Sequence, residues 1–360
     1  MKNKFFCLFS IFFVISFCLH TYLLFTFDMI DGELWGGVVE YIDTGDMLQF
    51  DLSYEYTPMA PILYSAAALD NFGFTPYTSL IITLGILDAL IISGITLLAY
   101  IMRPDNYWYI AVLGLLSFNH LYESATPPSA AASLLGAFLF MLCLYAYERK
   151  KPISREFVLL WTFLAGLLLS IRIEIGALII ATCAFLLVSI VGPKRTLLMV
   201  GGAVVLLFCL DPFMWTGPFE HISNILSQYI KFHDLGTGGA FYPFNLFSVS
   251  VMAFLSMALA IVGILLLPKS EQALPHRLLL VLFGLSVIFY SVLLTSDSQP
   301  PRYFLPIVLL WQTLLPAFFI ALISKINIVH GKIRSLSRIP EIFVISILFG
   351  YELAIFYVLF

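Results

Sequence analysis

The chain has 360 residues, 61% of them hydrophobic and 11% charged, with a net charge of −4 and a mean hydropathy of +0.99. Soluble domains carry about a quarter charged residues, so this composition excludes a soluble globular protein and describes an all-α polytopic membrane protein. No polar stretch exceeds roughly 35 residues, too short for a separate soluble domain, and residues 1–360 read as a single membrane-embedded domain.

Apolar windows near the roughly 20 residues of a helical crossing lie at 5–27, 78–102, 106–121, 129–147, 157–171, 175–192, 197–212, 246–267, 277–295, 303–324 and 341–360. The first follows Met1-Lys2-Asn3-Lys4 and runs straight into Phe27-Asp28. It is longer than the apolar core of a secretory signal, which spans about 7–15 residues, and reads as a retained signal-anchor. Lys and Arg accumulate in cytoplasmic loops. The N-terminal lysines therefore put the start of the chain inside and residues 28–57 outside.

Segment 58–72 is apolar but short, and it is interrupted by Pro58, Pro61 and Asp70-Asn71. It reads as a helix that dips in or lies at the surface without crossing. About 11 crossings plus this short helix then place 15 of the 18 Lys and Arg residues on the cytoplasmic side. Arg172, in the outer turn Arg172-Ile173-Glu174, Lys231, in the long outer loop Asp211 to Asn245, and Arg302 are left on the outer side. A cation there opposes the usual bias, and a pocket for an anionic group is the natural reason. Arg172 has a structural alternative, pairing with Glu174 or Asp211 to hold helix ends together, and Arg302 has one as an interfacial anchor beside Tyr303. Lys231, with His221, His233 and Asp234, reads as solvated loop charge.

The first outer loop holds eight carboxylates and no basic residue: Asp28, Asp31, Glu33, Glu40, Asp43, Asp46, Asp51 and Glu55. Asp28 and Asp31 are three apart and share one face of a helix end. A carboxylate at the membrane boundary is placed to take a proton from a hydroxyl. Tyr54 and Tyr56 adjoin this loop, and aromatic rings stack on sugars as well as populating interfacial belts. Within the apolar windows, Asp88 and Glu352 each cost about 2.5–3.5 kcal/mol if charged at the bilayer centre, so they must be neutral, paired or near water. Intramembrane acids keep a transporter reading open. The five cysteines, Cys7, Cys18, Cys143, Cys183 and Cys209, all fall in apolar windows without C-x-x-C or His spacing and read as small apolar filler. Gly236 to Gly239 lacks the Lys-Ser/Thr that completes a phosphate loop, so neither a soluble nucleotide nor a nucleic acid is expected.

Ile30-Asp31, Gly45 and Tyr54-Glu55-Tyr56-Thr57-Pro58-Met59 resemble the first outer loop of the GT-C glycosyltransferases, multi-spanning enzymes that use polyprenyl-phosphate sugars. The likeness is to the dolichyl-phosphate-mannose-dependent mannosyltransferases of GPI-anchor assembly and covers about 30 residues. Two positions depart from that pattern. Met29 stands where the family's Asp-x-Asp has its first acid, with Asp28 one residue further back, and Glu55 replaces a basic residue. The resemblance implies a GT-C-like bundle and transfer of mannose or another hexose, with inversion, from a polyprenyl-phosphate donor to an acceptor hydroxyl. The acceptor is a lipid, a glycan or a protein, and the reaction lies on the extracytoplasmic or luminal face of the cell membrane or an endomembrane. Asp31 is then the first candidate for the catalytic base with Asp28 assisting. Arg302 and Arg172 are the candidates for the donor phosphate, which guanidinium groups bind bidentately. Glu33, Tyr54, Glu55, Tyr56, Glu174 and Tyr303 line the substrate. The family implies no certain cofactor, and a divalent cation, Mg²⁺ or Mn²⁺, is left open with no ligands assigned. The competing readings are a transporter or lipid flippase, which predicts inverted repeats and broken helices at the midplane, and a non-catalytic subunit of a glycosylation complex.

Overall fold

The computed structural model describes residues 2–26, 39–40, 60–102, 127–149, 153–211, 213–220, 222–224 and 227. These residues form helices and the turns between them: α1 (Lys2–Thr26), α2 (Ala60–Asp70), α3 (Pro76–Met102), α4 (Pro127–Arg149), α5 (Arg155–Ile171), α6 (Ile173–Val191), α7 (Pro193–Leu210) and the single turn α8 (Phe213–Thr216). The described parts of windows 5–27, 78–102, 129–147, 157–171, 175–192 and 197–212 fall on helices, apart from the helix-ending residues Gly192 and Asp211. The windows at 106–121 and from 246 onward lie outside the described residues. Among the described residues, three helical stretches, Lys4–Thr26, Pro76–Ile101 and Pro193–Leu210, are long and apolar enough to cross a membrane. Shorter apolar stretches lie at Leu134–Tyr147 and Gly176–Val191. The described part of the chain is all-helical, and its long apolar helices are those of a membrane protein.

Burial separates the roles of the three long helices. Two thirds of the apolar window of α3 is inside the protein (67%), against 17% for α1 and 22% for α7. Thus α3 is the central helix, and the outer two present Phe6, Ile11, Val14, Phe25, Leu197 and Leu198 outward. So many exposed large apolar side chains would form an aggregating patch in water; in a bilayer they are the lipid-facing surface.

Helix boundaries follow from local chemistry. Thr75 accepts a hydrogen bond from the Thr78 N–H at 3.3 Å, and Pro76 fills the first helical position of α3, where a missing N–H costs nothing. Ser154 caps α5 in the same way, accepting from the Phe157 N–H at 3.3 Å. Gly192 has φ +83° and separates α6 from α7, with Pro193 next in sequence. Helices run past the apolar windows by a few residues. In α7 the helix starts at Pro193 rather than 197, because a helix continues through the charged headgroup layer, where Lys194 and Arg195 find water.

Contacts fix the relative directions. The Phe5 and Tyr100 rings meet edge-on at 5.7 Å, and Lys4 Nζ lies 5.4 Å from the Tyr100 centroid. Gly85 packs on Thr21 and Phe17 toward the other end. So α1 and α3 run antiparallel. By contrast α5 and α7 run parallel: Gly202 faces Thr162, and Gly166 faces Ala203 and Leu206. Small residues let these backbones approach closely, which is how helices pack when lipid removes any hydrophobic drive between them. Helix α2 has 11 residues, about 16 Å at 1.5 Å per residue, or half the hydrocarbon thickness. It packs on α3 and reaches α5.

Hydroxyls inside the helices mostly return to their own backbone. Thr96 donates to the Ile92 carbonyl at 2.8 Å, Thr182 to Leu178 at 2.9 Å and Ser170 to Leu167 at 2.8 Å. The Cys143 and Cys183 side chains are buried and hydrogen-bond to each other, joining α4 to α6. Cys7, Cys18 and Cys209 are exposed.

Candidate functional site at one end of the bundle

The parallel register of α5 and α7 carries their C-terminal ends to one level. From the Gly166–Leu206 contact, six further residues reach Arg172 and five reach Asp211. Closely packed helices stand about 8–10 Å apart, so these two side chains end within reach of one another's helix. Arg172 is buried at 8% exposure and Asp211 at 0%.

Arg172 forms a one-residue break. Its backbone is extended (φ −155°, ψ 101°), its N–H closes α5 on the Leu168 carbonyl at 2.9 Å, and its carbonyl accepts from the Gly176 N–H at 2.9 Å. The sequence placed a turn at Arg172-Ile173-Glu174, but α6 already begins at Ile173. The chain reverses so tightly because Gly176, lacking a side chain, rests against the Leu169 backbone. The Arg172 cation therefore sits between the negative end of α5 and the positive end of α6, whose fields oppose each other. A helix end alone does not account for a buried guanidinium there.

Asp211 is the residue whose surroundings differ most from the sequence reading, which opened the outer loop 211–245 with it. It caps α7, its N–H bonding the Leu207 carbonyl at 2.9 Å while its own carbonyl accepts from Met214 at 3.1 Å. Its side chain is wholly buried. A carboxylate out of water and at the negative end of a helix carries two electrostatic costs at once.

Tyr64, midway along α2, is 39% exposed. Partial burial raises the pKa of its phenol, and the nearby Asp211 carboxylate raises it further. The Asp211 charge at the end of α7 therefore reaches α2, which packs on α3 and reaches α5. One end of the described structure thus gathers Thr26, α2, the start of α3, Arg172 and Asp211. The opposite end gathers Lys4, Arg155, Lys194 and Arg195, the first residues of α1, α5 and α7.

Of the residues singled out in the sequence, Arg172 is described and buried, and Glu174 lies on the first turn of α6. Asp28, Asp31, Glu33, Tyr54, Glu55, Tyr56, Arg302 and Tyr303 lie outside the described residues, as do Lys231 and Glu352. Thr26 and Ala60, the residues flanking the acidic segment and its Tyr54–Pro58 stretch, are at the Arg172 end. No cluster of three metal-ligating side chains occurs among the described residues.

Sequence reasoning missed two polar positions. Tyr64 carries no signal of its own in an apolar run. His20 is wholly buried in α1, its Nδ1 3.3 Å from Ser16 Oγ one turn away; the recurrence of polar residues at 16 and 20 was the available sign. Asp88, marked as costly in the sequence, is 2% exposed on the central helix.

No family model, curated protein or solved structure matches the chain.

Proposed function

We propose that the protein is a polyprenyl-phosphate-sugar-dependent glycosyltransferase of the GT-C type. In this reading the end bearing Arg172 and Asp211 faces the outer or luminal side, and a hexose passes there from donor to acceptor hydroxyl. The single observation that carries the reading is the buried Arg172 at the end of the bundle from which the acidic segment 28–57 departs. The donor's leaving group is a lipid phosphate, so the reaction needs a carboxylate toward the acceptor and a cation toward the phosphate. Asp31, with Asp28, supplies the first and Arg172, with Arg302, the second. Glu33, Tyr54, Glu55, Tyr56, Glu174 and Tyr303 contribute to the substrate surface.

The remaining architecture fits this reading. About 11 crossings with α2 outside their count make α1 and α3 antiparallel, as they are; a full crossing between them would make them parallel. The test is transfer itself. Purified protein in nanodiscs is given radiolabelled polyprenyl-phosphate mannose or glucose and a membrane-lipid acceptor extract, with and without chelator. Sugar appearing on an acceptor supports the reading, and the chelator arm reports on Mg²⁺ or Mn²⁺. Donor left intact under both conditions refutes it.

One observation favours a second reading. Asp88 lies buried near the middle of the central helix, and intramembrane carboxylates commonly serve ion coupling. A transporter would acidify or alkalinise the lumen of proteoliposomes when given substrate, a response that a transferase lacks.

A further inference from the structure

Three helices bring different chemistry to the Arg172 end: a guanidinium from α5, a carboxylate from α7 and a phenol from α2. Their exposures are graded. Asp211 is inaccessible, Arg172 is nearly so, and Tyr64 opens to the surroundings at 39%. A ligand at this end can therefore touch the phenol directly, and the Asp211 carboxylate not at all. Asp211 can still act on both. It is acceptor-only when ionised, it is buried at the level of Arg172, and its charge reaches Tyr64.

We propose that Tyr64 is a direct binding residue for the phosphate headgroup of a polyprenyl-phosphate lipid, alongside Arg172, and that Asp211 is the positioning residue that holds this pair. The inference rests on the donor reading above and names two further members of the same site. Its chemistry is hydrogen bonding and charge. The Tyr64 O–H donates to a phosphate oxygen, the guanidinium donates to the others, and Asp211 fixes the guanidinium from behind so that its remaining N–H groups face the ligand. Removing the hydroxyl removes one donor to a charged acceptor, worth about tenfold in affinity. Replacing Asp211 by Asn keeps the shape and removes the charge.

The experiment measures equilibrium binding of a radiolabelled short-chain polyprenyl phosphate to the full chain in nanodiscs, with no acceptor present. The matching polyprenol and inorganic phosphate serve as comparison ligands. The wild-type protein is expected to hold the phosphate lipid at least tenfold more tightly than the polyprenol. Millimolar inorganic phosphate should not displace it. Tyr64→Phe, which loses only an oxygen from a half-exposed ring, should weaken the phosphate lipid about tenfold and leave the polyprenol unchanged. Asp211→Asn should weaken it too and should also shift the pH profile. The phenol must keep its proton to donate, so binding falls at alkaline pH as Tyr64 ionises, and without the Asp211 charge that limb moves to lower pH. Among the described residues, the other ionisable groups on α2 and the elements around it are Asp70 of α2, Tyr77, Asp88 and Tyr100 of α3, Arg155 and Glu156 of α5 with Arg172 at its end, and Lys194, Arg195 and Cys209 of α7; none of them changes in this variant.

Wild-type affinity for the phosphate lipid in Tyr64→Phe would overturn the inference. So would displacement by inorganic phosphate alone, or an unmoved alkaline limb in Asp211→Asn. A chain that binds the phosphate lipid through Tyr64 but transfers no sugar upholds the inference and refutes the transferase reading separately.

Discussion

Substituting Gly166 by Ala tests the packing that sets Arg172 and Asp211 at one level. A Cβ at this position would stand 2.5 Å from the Leu206 Cβ and 3.1 Å from the Ala203 carbonyl oxygen. Neither atom can move by rotating a side chain, so α5 and α7 must separate, and the Thr162–Gly202 contact loosens with them. Overpacking of this kind costs about 2–3 kcal/mol in its upper range, and replacing helical glycine recovers about 1 kcal/mol, leaving a net loss of about 1–2 kcal/mol. Gly201, on the same helix, has open space where a methyl would go, with nothing within 4 Å. Gly201→Ala should therefore be neutral or stabilising by up to about 1 kcal/mol. The pair should differ by about 1–3 kcal/mol in reversible SDS unfolding from mixed micelles. Trp161 is a suitable fluorescent reporter, wholly buried one residue before Thr162. Equal stability of the two variants, within about 0.5 kcal/mol, would refute the close parallel packing of α5 on α7.

Two further predictions concern the ends of the bundle. With native cysteines replaced, Phe72→Cys at the α2–α3 turn should react with a membrane-impermeant maleimide in intact cells, whereas Lys194→Cys at the start of α7 should react only after permeabilisation; labelling of both from one side would contradict the placement of these ends across the membrane. The raised pKa of Tyr64 also makes a stability prediction. Above about pH 10 an unfolded chain has lost the phenolic proton that the folded protein retains, so stability falls as pH rises through that window. Thermal unfolding of Tyr64→Phe should show a shallower alkaline decline than wild type, and an identical slope would remove the environment assigned to this phenol.

Much of the helical architecture was legible in the sequence because membrane helices advertise themselves by length and hydropathy. A 25-residue α1 and a 27-residue α3 had few alternatives. The short reach of α2 was equally legible, from Pro58, Pro61 and Asp70-Asn71. The sorting of charge to two ends also survives for Lys4, Arg155, Lys194, Arg195 and Arg172, since loop charge fixes which helix ends share a side. What escaped the sequence depends on contacts between helices. Nothing in the run Leu63-Tyr64-Ser65 says that a phenol feels the charge of an acid nearly 150 positions away. Nothing in Leu210-Asp211-Pro212 distinguishes a buried cap from the first residue of a solvated loop. Helix rotation decides both, and the near-uniform apolarity of α2 and α7 leaves their facing undetermined by pattern alone. The tight reversal at Arg172 was read as a longer turn for a related reason: the space that permits it is the missing side chain of Gly176, four residues on.

The central claim, that the acidic segment and the buried guanidinium serve one sugar-transfer reaction, is tested most directly by Asp31→Asn. The measurement is initial-rate transfer from labelled polyprenyl-phosphate sugar, made beside unfolding and donor-binding controls on the same preparation. Loss of a positioned base should lower the rate by about 10²–10⁴-fold while folding and donor binding stay at wild-type values. Transfer at the wild-type rate in this variant would contradict the account.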